Sequence, residues 1–421
     1  MTLRPFLKLA VPERAYEVIG SFPSVDHERI DCRNAFGRVA ADDITAAENV
    51  PDFERSNMDG YAVCAADTAG ATESAAVLLD LVGQVEMGRA AGVTVAPGQA
   101  VRVSTGGMLP EGADAVVMVE KTEIVGERRV AIRDTLVAGQ NVIRIGEDLC
   151  EGDPLFTAGR RFKGGDVGAL TGSGHAEVNV FRRPCVGIMA TGDEIVEPGE
   201  PLQPGQVRNV NEYVLVSLAK QLGVEVNDYG VVGDDEDRLG AALGRAVAEN
   251  DVVFISGGSS KGHRDLTRSS IEALAGAEIL LHGIAIAPGK PTIIARAAGE
   301  RASGLPPAAI MGLPGNPAAA AVVFHLFGSV LVRVLGGEPI ERILTTRPRI
   351  RARLSRTLPS TPGREDYVRA RLVEAEPLPQ AVPLLGKSVA ISTLAHADGL
   401  IRVPLSTEGF DEGEDVEVIL F

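Results

Sequence analysis

From residue 183 to residue 336 the chain alternates short apolar runs with amphipathic ones, an order that few architectures accept. CVGIMA (185–190) reads as a strand, NEYVLVSLAKQLG as a helix, VEVNDYGVV as a strand, DEDRLGAALGRAVAEN as a helix and DVVFIS (251–256) as a strand. Parallel neighbours need a long connection, and a helix supplies it, so the rhythm predicts a parallel sheet with crossover helices. It continues with a helix from Asp265 to about Ala275, strands in AEILLHGIAIA, TIIARA and AAIMG, and a closing helix over 318–335. Residues 183–336 are therefore expected to form a doubly wound α/β domain.

The chain has 421 residues, too many for one ordinary core, and the remaining segments have a different texture. Residues 51–151 carry short β-rich runs (AVLLDLVGQV, AVRVST, AVVMVE, RVAIR) broken by Gly, Pro and Asp, which predicts an inserted β-rich domain. RIRARLSR, EDYVRARLVE, LIRVP and EDVEVILF predict a C-terminal β-barrel-like domain over 345–421. Residues 1–50 and 152–182 have helical pattern but are too short for separate cores. They are expected to pack together as an N-terminal helical, linking domain. The fold class is α/β plus β, multidomain.

Composition excludes several roles. The 57 acidic residues against 41 Lys and Arg give a net charge of −16, which repels a polyphosphate. With 4% aromatics and no Trp there is little to stack bases on, so no nucleic-acid partner is expected. The longest apolar run, Ala318 to Gly336, contains His325 and Arg333 and follows a Pro/Gly turn, the mark of a buried helix and not of a membrane span. The N-terminus, with Lys8, Pro12 and Glu13 inside its apolar stretch, does not read as a signal peptide. Cys32, Cys64, Cys150 and Cys185 lie far apart with no CxxC pair, which suits a reducing cytoplasm.

Turn motifs sit at the carboxyl ends of strands in the α/β region, where open α/β sheets bind ligands: TGDE (191–194), SGGSSKGHRD (256–265) and LPGNP (313–317). In the second, Gly257 and Gly258 leave backbone N–H groups free to approach an anion, while Ser256 and Lys261 add a donor and a charge. It lacks Walker spacing, and an ordinary Gly-rich βα turn has the same composition. In LPGNP, Asn316 can cap the following helix and Pro317 suits its first turn, which aims a helix N-terminus at the crevice. APGKP (287–291) places Lys290 in a rigid turn, where it can meet an oxyanion or simply face solvent. Asp59, Asp148, Asp193, Glu194, Asp234, Asp235 and Asp265 fall in or beside Gly turns. Singly they are turn formers; converging on one crevice they could hold Mg²⁺ against phosphates. The histidines show no ligand spacing, and no catalytic triad is legible.

Taken in order, SNMDGYAV (56–63), STGGMLPEGADAVVMVE (104–120), GQNVIRIGEDL (139–149), TGDE, SGGSSKGHRD, PGKP, GLPGNP (312–317) and STLAHADGLIRVP (392–404) resemble the molybdopterin molybdenumtransferases, the MoeA and gephyrin E-domain family. The resemblance spans nearly the whole chain. It implies a four-domain homodimer, with the cleft between the α/β domain of one subunit and β-rich parts of the other. There adenylylated molybdopterin and molybdate are converted with release of AMP. It further implies catalytic roles for Asp59, Thr105, Asp148, Glu194, Asp234 and Asp265. Substrate contacts are implied at Arg144, Ser256, Gly257, Gly258, Lys261, Lys290, Pro314, Gly315, Asn316, Pro317 and Ser392. Glu194, Asp234 and Asp265 are the implied Mg²⁺ ligands, with Asp234 chosen over Asp235. Transient contacts with a molybdopterin adenylyltransferase and with molybdoenzyme acceptors would follow. The chain departs from the family pattern at Ala287, where many relatives carry a basic residue, and in SSKGHRDL. Two other readings are an adenylyltransferase, which lacks the MDGYAV, GEDL and C-terminal β regions, and a non-catalytic pterin-binding scaffold.

Overall fold

The computed structural model describes residues 9–257, 266–302 and 304–421. In the α/β region, strands β1 (Cys185–Thr191), β2 (Glu225–Val232), β3 (Val252–Gly257), β4 (Glu278–His282), β5 (Ile293–Ala297) and β6 (Ala308–Leu313) form one sheet in the order β2-β1-β3-β6-β5-β4. The strands alternate faces as a two-sided core requires. Ile188, Phe254 and Met311 point to one buried cluster, while Met189, Val253, Ile255 and Ile310 point to the other. Helices α1 (Asn211–Gln221) and α4 (Pro317–Leu335) cover the first face, and α2 (Glu236–Glu249) and α3 (Leu266–Glu272) the second.

The sheet is not wholly parallel. β2, β1, β3 and β6 run parallel, but β5 is antiparallel to both β6 and β4. The links 283–292 and 298–307 are too short to carry a crossover helix, so the chain turns back on itself. Helix α4 has a mean hydropathy of 2.0 and is mostly buried. Its middle, Phe324–Gly328, widens into a π turn, and Arg347 donates to the backbone oxygens of His325 and Leu326 at that point. Gly328 lets α4 cross close to the sheet, since a Cβ there would lie 2.9 Å from the Phe254 ring.

At the opposite end of the sheet from the TGDE turn, Asp251 is buried and accepts two bonds from Arg182 (2.6 and 2.8 Å), one from Arg301 (3.1 Å) and one from the Cys185 amide (2.8 Å).

The helix Pro12–Gly20 buries Ala15, Val18 and Ile19 in the same cluster as α4, because its single apolar stripe meets a large apolar face there. Residues 27–31 instead pair antiparallel with 177–181, and 44–45 with 154–156, around a small core of Ala40, Phe162, Leu170 and Val180 that includes the helix Gly164–Gly172. Between these pieces, strands Gly60–Val63, Val77–Gln84, Gln99–Val103, Ala115–Met118, Thr122–Val125 and Arg129–Ile132 make a second six-stranded sheet with a core on each face. Near the C-terminus, strands Arg349–Leu354, Glu365–Val373, Gln380–Pro383, Gly399–Val403 and Asp415–Leu420 close on themselves into a barrel, each paired with two others. Residues 286–287 add to this barrel in parallel beside 365–366.

Candidate active site

A cavity of about 1150 Å³ opens at the carboxyl ends of β1, β3 and β6. That is roomier than the ~300–1,000 Å³ typical of small-ligand clefts. Its floor is Thr191, Ser256 and Gly257, and Pro314, Gly315, Asn316 and Pro317 bring in the start of α4. The Lys290 turn forms one wall and Arg364 and Ser388 of the C-terminal unit close it. β1 and β3 come together so tightly that Thr191 and Gly257 are register partners. A Cβ on Gly257 would lie 2.1 Å from the Thr191 carbonyl oxygen, and its φ of +122° suits only glycine.

Glu194, Ser256, Gly257, Lys290, Pro314, Gly315, Asn316 and Pro317 all line this cleft. Asp234 stands at its edge, accepting a 2.8 Å bond from the Thr191 hydroxyl. Its neighbour Asp235 is occupied as the N-cap of α2, accepting from the Arg238 amide. Gly258, Lys261 and Asp265 lie outside the described residues. Among the described residues no group of three His, Cys, Asp or Glu side chains gathers as a metal site.

Two expectations change. Asn316 takes the N-cap position of α4 but does not cap it; its amide donates instead to Ser388 Oγ (2.8 Å), while Ala318 N–H donates to the Ser388 carbonyl (3.1 Å). Ser392 does not line the cleft; it is exposed in the short helix Ile391–Ala395, and Ser388 stands on the cleft wall in its place. The LLGKSV stretch lay outside every motif, so no sequence signal pointed to Ser388.

Asp59, Thr105, Arg144 and Asp148 do not line the cleft of their own chain. Asp59 and Thr105 meet on the inserted unit, Arg144 follows the 142–143 strand that pairs beside them, and the Asp148 amide donates to the Val50 carbonyl. There the 56–60 turn bonds to 104–107 through Ser56–Gly107 and Gly106–Ser56, and residues 55–56 pair with 142–143. Asp59 Oδ1 accepts from the Thr105 amide at 2.9 Å. Gly60 is required because a Cβ there would lie 1.8 Å from the Val117 oxygen. The motifs MDGYAV, STGG and GQNVIR thus converge in space although some eighty residues separate their ends.

Cleft residues outside every motif singled out in the sequence include Arg208, Asn209, Asn211, Arg364 and Ser388. An Asn just before an amphipathic run is a helix-start signal, so RNVN was legible as a boundary, though not as a cleft wall. The parallel pairing of 195–196 with 207–208 brings this stretch against the TGDE turn. Beneath it Asn209 Nδ2 donates to Glu197 and to Glu212, both at 2.8 Å. Burial pushes the Glu212 carboxyl from 4.5 up to about 7, the Asn209 amide opposing the rise and Asp228 adding to it. The folded protein therefore holds this proton more tightly than the unfolded chain. Its contribution to stability is complete below pH 4.5 and is lost as pH rises through about 7, on the order of 2 kcal/mol. Melting temperatures followed from pH 5 to 8 should fall in the native protein and fall less in Glu212→Gln; identical slopes would rule Glu212 out as the cause.

An α/β unit with its cleft at the ends of parallel strands, walled by a β-barrel and joined to an inserted β unit, is the build of a multidomain enzyme acting on a small molecule. Residues 10–174 match the MoeA N-terminal region (domain I and II), 187–333 a probable molybdopterin binding domain, and 351–421 the MoeA C-terminal region (domain IV). The chain belongs to the MoeA family of molybdopterin molybdenumtransferases. It is 34% identical over 398 residues to the molybdopterin molybdenumtransferase of Bacillus subtilis, covering 93% of this chain and 89% of that one. With the Nostoc sp. enzyme of the same name it shares 33% over 430 residues, 99% and 95% of the two chains. The crystal structure of a MoeA protein from Pyrococcus horikoshii superposes with a TM-score of 0.81 at 37% identity, covering 98% of this chain and 99% of that one.

Proposed function

We propose that this transferase acts in molybdenum cofactor biosynthesis, inserting molybdate into adenylylated molybdopterin with release of AMP, as a cytoplasmic, Mg²⁺-dependent homodimer. The observation that carries the reading is the convergence of Lys290, the Gly257 turn and the start of α4 on one cleft. Among the described residues no carboxylate pairs with Lys290, so its ammonium is available to an anion, as molybdate and a pyrophosphate both are.

The donor chemistry near Thr191 suits Mg²⁺. Glu194 and Asp234 offer hard carboxylate oxygens, and this ion takes one or two of these plus phosphate oxygens. Bound there it would offset phosphate charge. Lys290 and backbone donors at Gly257 and α4 would hold the phosphoryl oxygens and stabilise charge that develops as the phosphoanhydride breaks. Asp59, Thr105, Arg144 and Asp148 sit away from their own cleft, and in a homodimer they would complete the partner's. Adenylyltransferase or acceptor contacts would then be transient exchanges of substrate and product.

The test is AMP release from adenylylated molybdopterin by the purified protein, with Mg²⁺ and with or without molybdate. Molybdate-dependent release is expected, and Lys290→Ala should lower it about 100-fold, the usual effect of removing one charge-stabilising donor. Tight binding without AMP release would favour a pterin-binding scaffold instead.

A further inference from the structure

Three buried side-chain atoms on the cleft wall have no hydrogen-bond partner among the described residues: Ser256 Oγ, Asn209 Oδ1 and Asn211 Oδ1. Asn209 is 3% exposed and Asn211 8%. Their amide orientations are fixed by what Nδ2 touches. Asn209 Nδ2 donates to the Glu197 carboxylate as well as to Glu212, and Asn211 Nδ2 donates to the Gly315 carbonyl at 2.8 Å, which only accepts. A flipped amide would set oxygen against the Glu197 carboxylate at Asn209 and against the Gly315 carbonyl at Asn211, so in both residues it is Oδ1 that is left without a partner. A buried acceptor left unbonded is costly, and native proteins keep few of them. Two within the three residues 209–211, on the wall of one cleft, mark a place where a ligand supplies the donors.

We infer that Asn209 and Asn211 are specificity residues, accepting hydrogen bonds from N–H groups of the ligand's heterocycle. This rests on the substrate class proposed above, whose two rings both present such an edge: the 2-amino-4-oxo edge of the pterin and the 6-amino edge of adenine. Lys290, Gly257 and the start of α4 donate to anions; these two residues accept, so the same cleft distinguishes ring from phosphate. A group placing oxygen where the amine belongs meets two oxygens and is rejected, as sites built to bond an N–H reject analogues lacking it.

The full-length protein can be titrated calorimetrically with pterin against lumazine, whose 2-amino group is an oxygen, and with AMP against IMP, whose 6-amino group is an oxygen. At least one amino compound should bind more than about 10-fold tighter than its oxo partner. Discrimination in the first pair assigns the edge to the pterin, in the second to adenine. In Asn209→Ser and Asn211→Ser the preference should collapse while affinity for inorganic phosphate is kept. If Asn211→Ser fails to fold because Gly315 loses its partner, Asn209→Ser and the wild-type comparison still decide. Equal binding within both pairs, no binding of any of the four at millimolar concentration, or undiminished preference in folded variants would overturn the inference. AMP release without discrimination defeats this inference alone; discrimination without AMP release defeats the catalytic reading and leaves the ring-binding role standing.

Discussion

Asp251→Ala is expected to unfold the α/β unit at much lower denaturant, with a loss of roughly 3–5 kcal/mol, the usual cost of stranding a buried partner charge. The reason is local. Arg301 has a buried side chain whose Nε has no partner among the described residues, and Arg182 is directed at the same carboxylate. Burial by itself would raise the Asp251 pKa, but the Arg182 bonds, the Cys185 amide and the Arg301 charge hold it below the ordinary carboxylate value. Its stabilising effect is therefore present above the unfolded pKa near 4 and lost as pH falls further. A urea titration at pH 7 measures the loss; Asp251→Asn, which keeps one acceptor, should lose less. A midpoint unchanged in Asp251→Ala would show that the two arginines find other partners.

Gly257→Ala should strike both stability and activity. The added methyl meets the Thr191 carbonyl at 2.1 Å, and neither strand can yield because each is hydrogen-bonded on both sides within the sheet. Strain of about 1–3 kcal/mol is expected from the φ alone. Because Thr191 and Gly257 are the cleft floor, AMP release should fall by about 100-fold or more, the cost of displacing a site by around an ångström. Gly240→Ala is the matched control. It lies in α2 with nothing within 4 Å of the new Cβ, so it should stabilise by ~0.5–1 kcal/mol and leave activity alone. Full activity in Gly257→Ala would mean that the strand ends do not set the cleft geometry.

Much of this was legible because local chemistry and tertiary structure agree. Ile188 and Met189, or Phe254 and Ile255, alternate faces as a doubly covered sheet demands, and the Gly and Pro turns mark the strand ends where the cleft opens. The reversed direction of β5 was not, because an apolar run reads the same in either direction and only the missing crossover helix betrays it. Asn316 has the composition of a cap, yet Ser388, more than seventy residues on, wins its amide. Asn211 opens the run that reads as a helix; that it and Asn209 also form a wall depends on the 195–196 and 207–208 pairing, which no local pattern announces.

The addition of residues 286–287 to the barrel has a mechanical consequence. Glu365 N–H bonds to the Ala285 carbonyl at 2.8 Å, and Lys290 follows only three residues after that short strand. If the barrel swung outward to widen the cleft, it would drag the lysine along or tear main-chain bonds shared with the α/β unit. The aperture on that side is thus set by chain connectivity, like a door frame rather than a door. A bulky ligand has to be admitted along another edge, and changes inside the barrel that tilt Glu365–Val373 should be felt as altered grip on the anion.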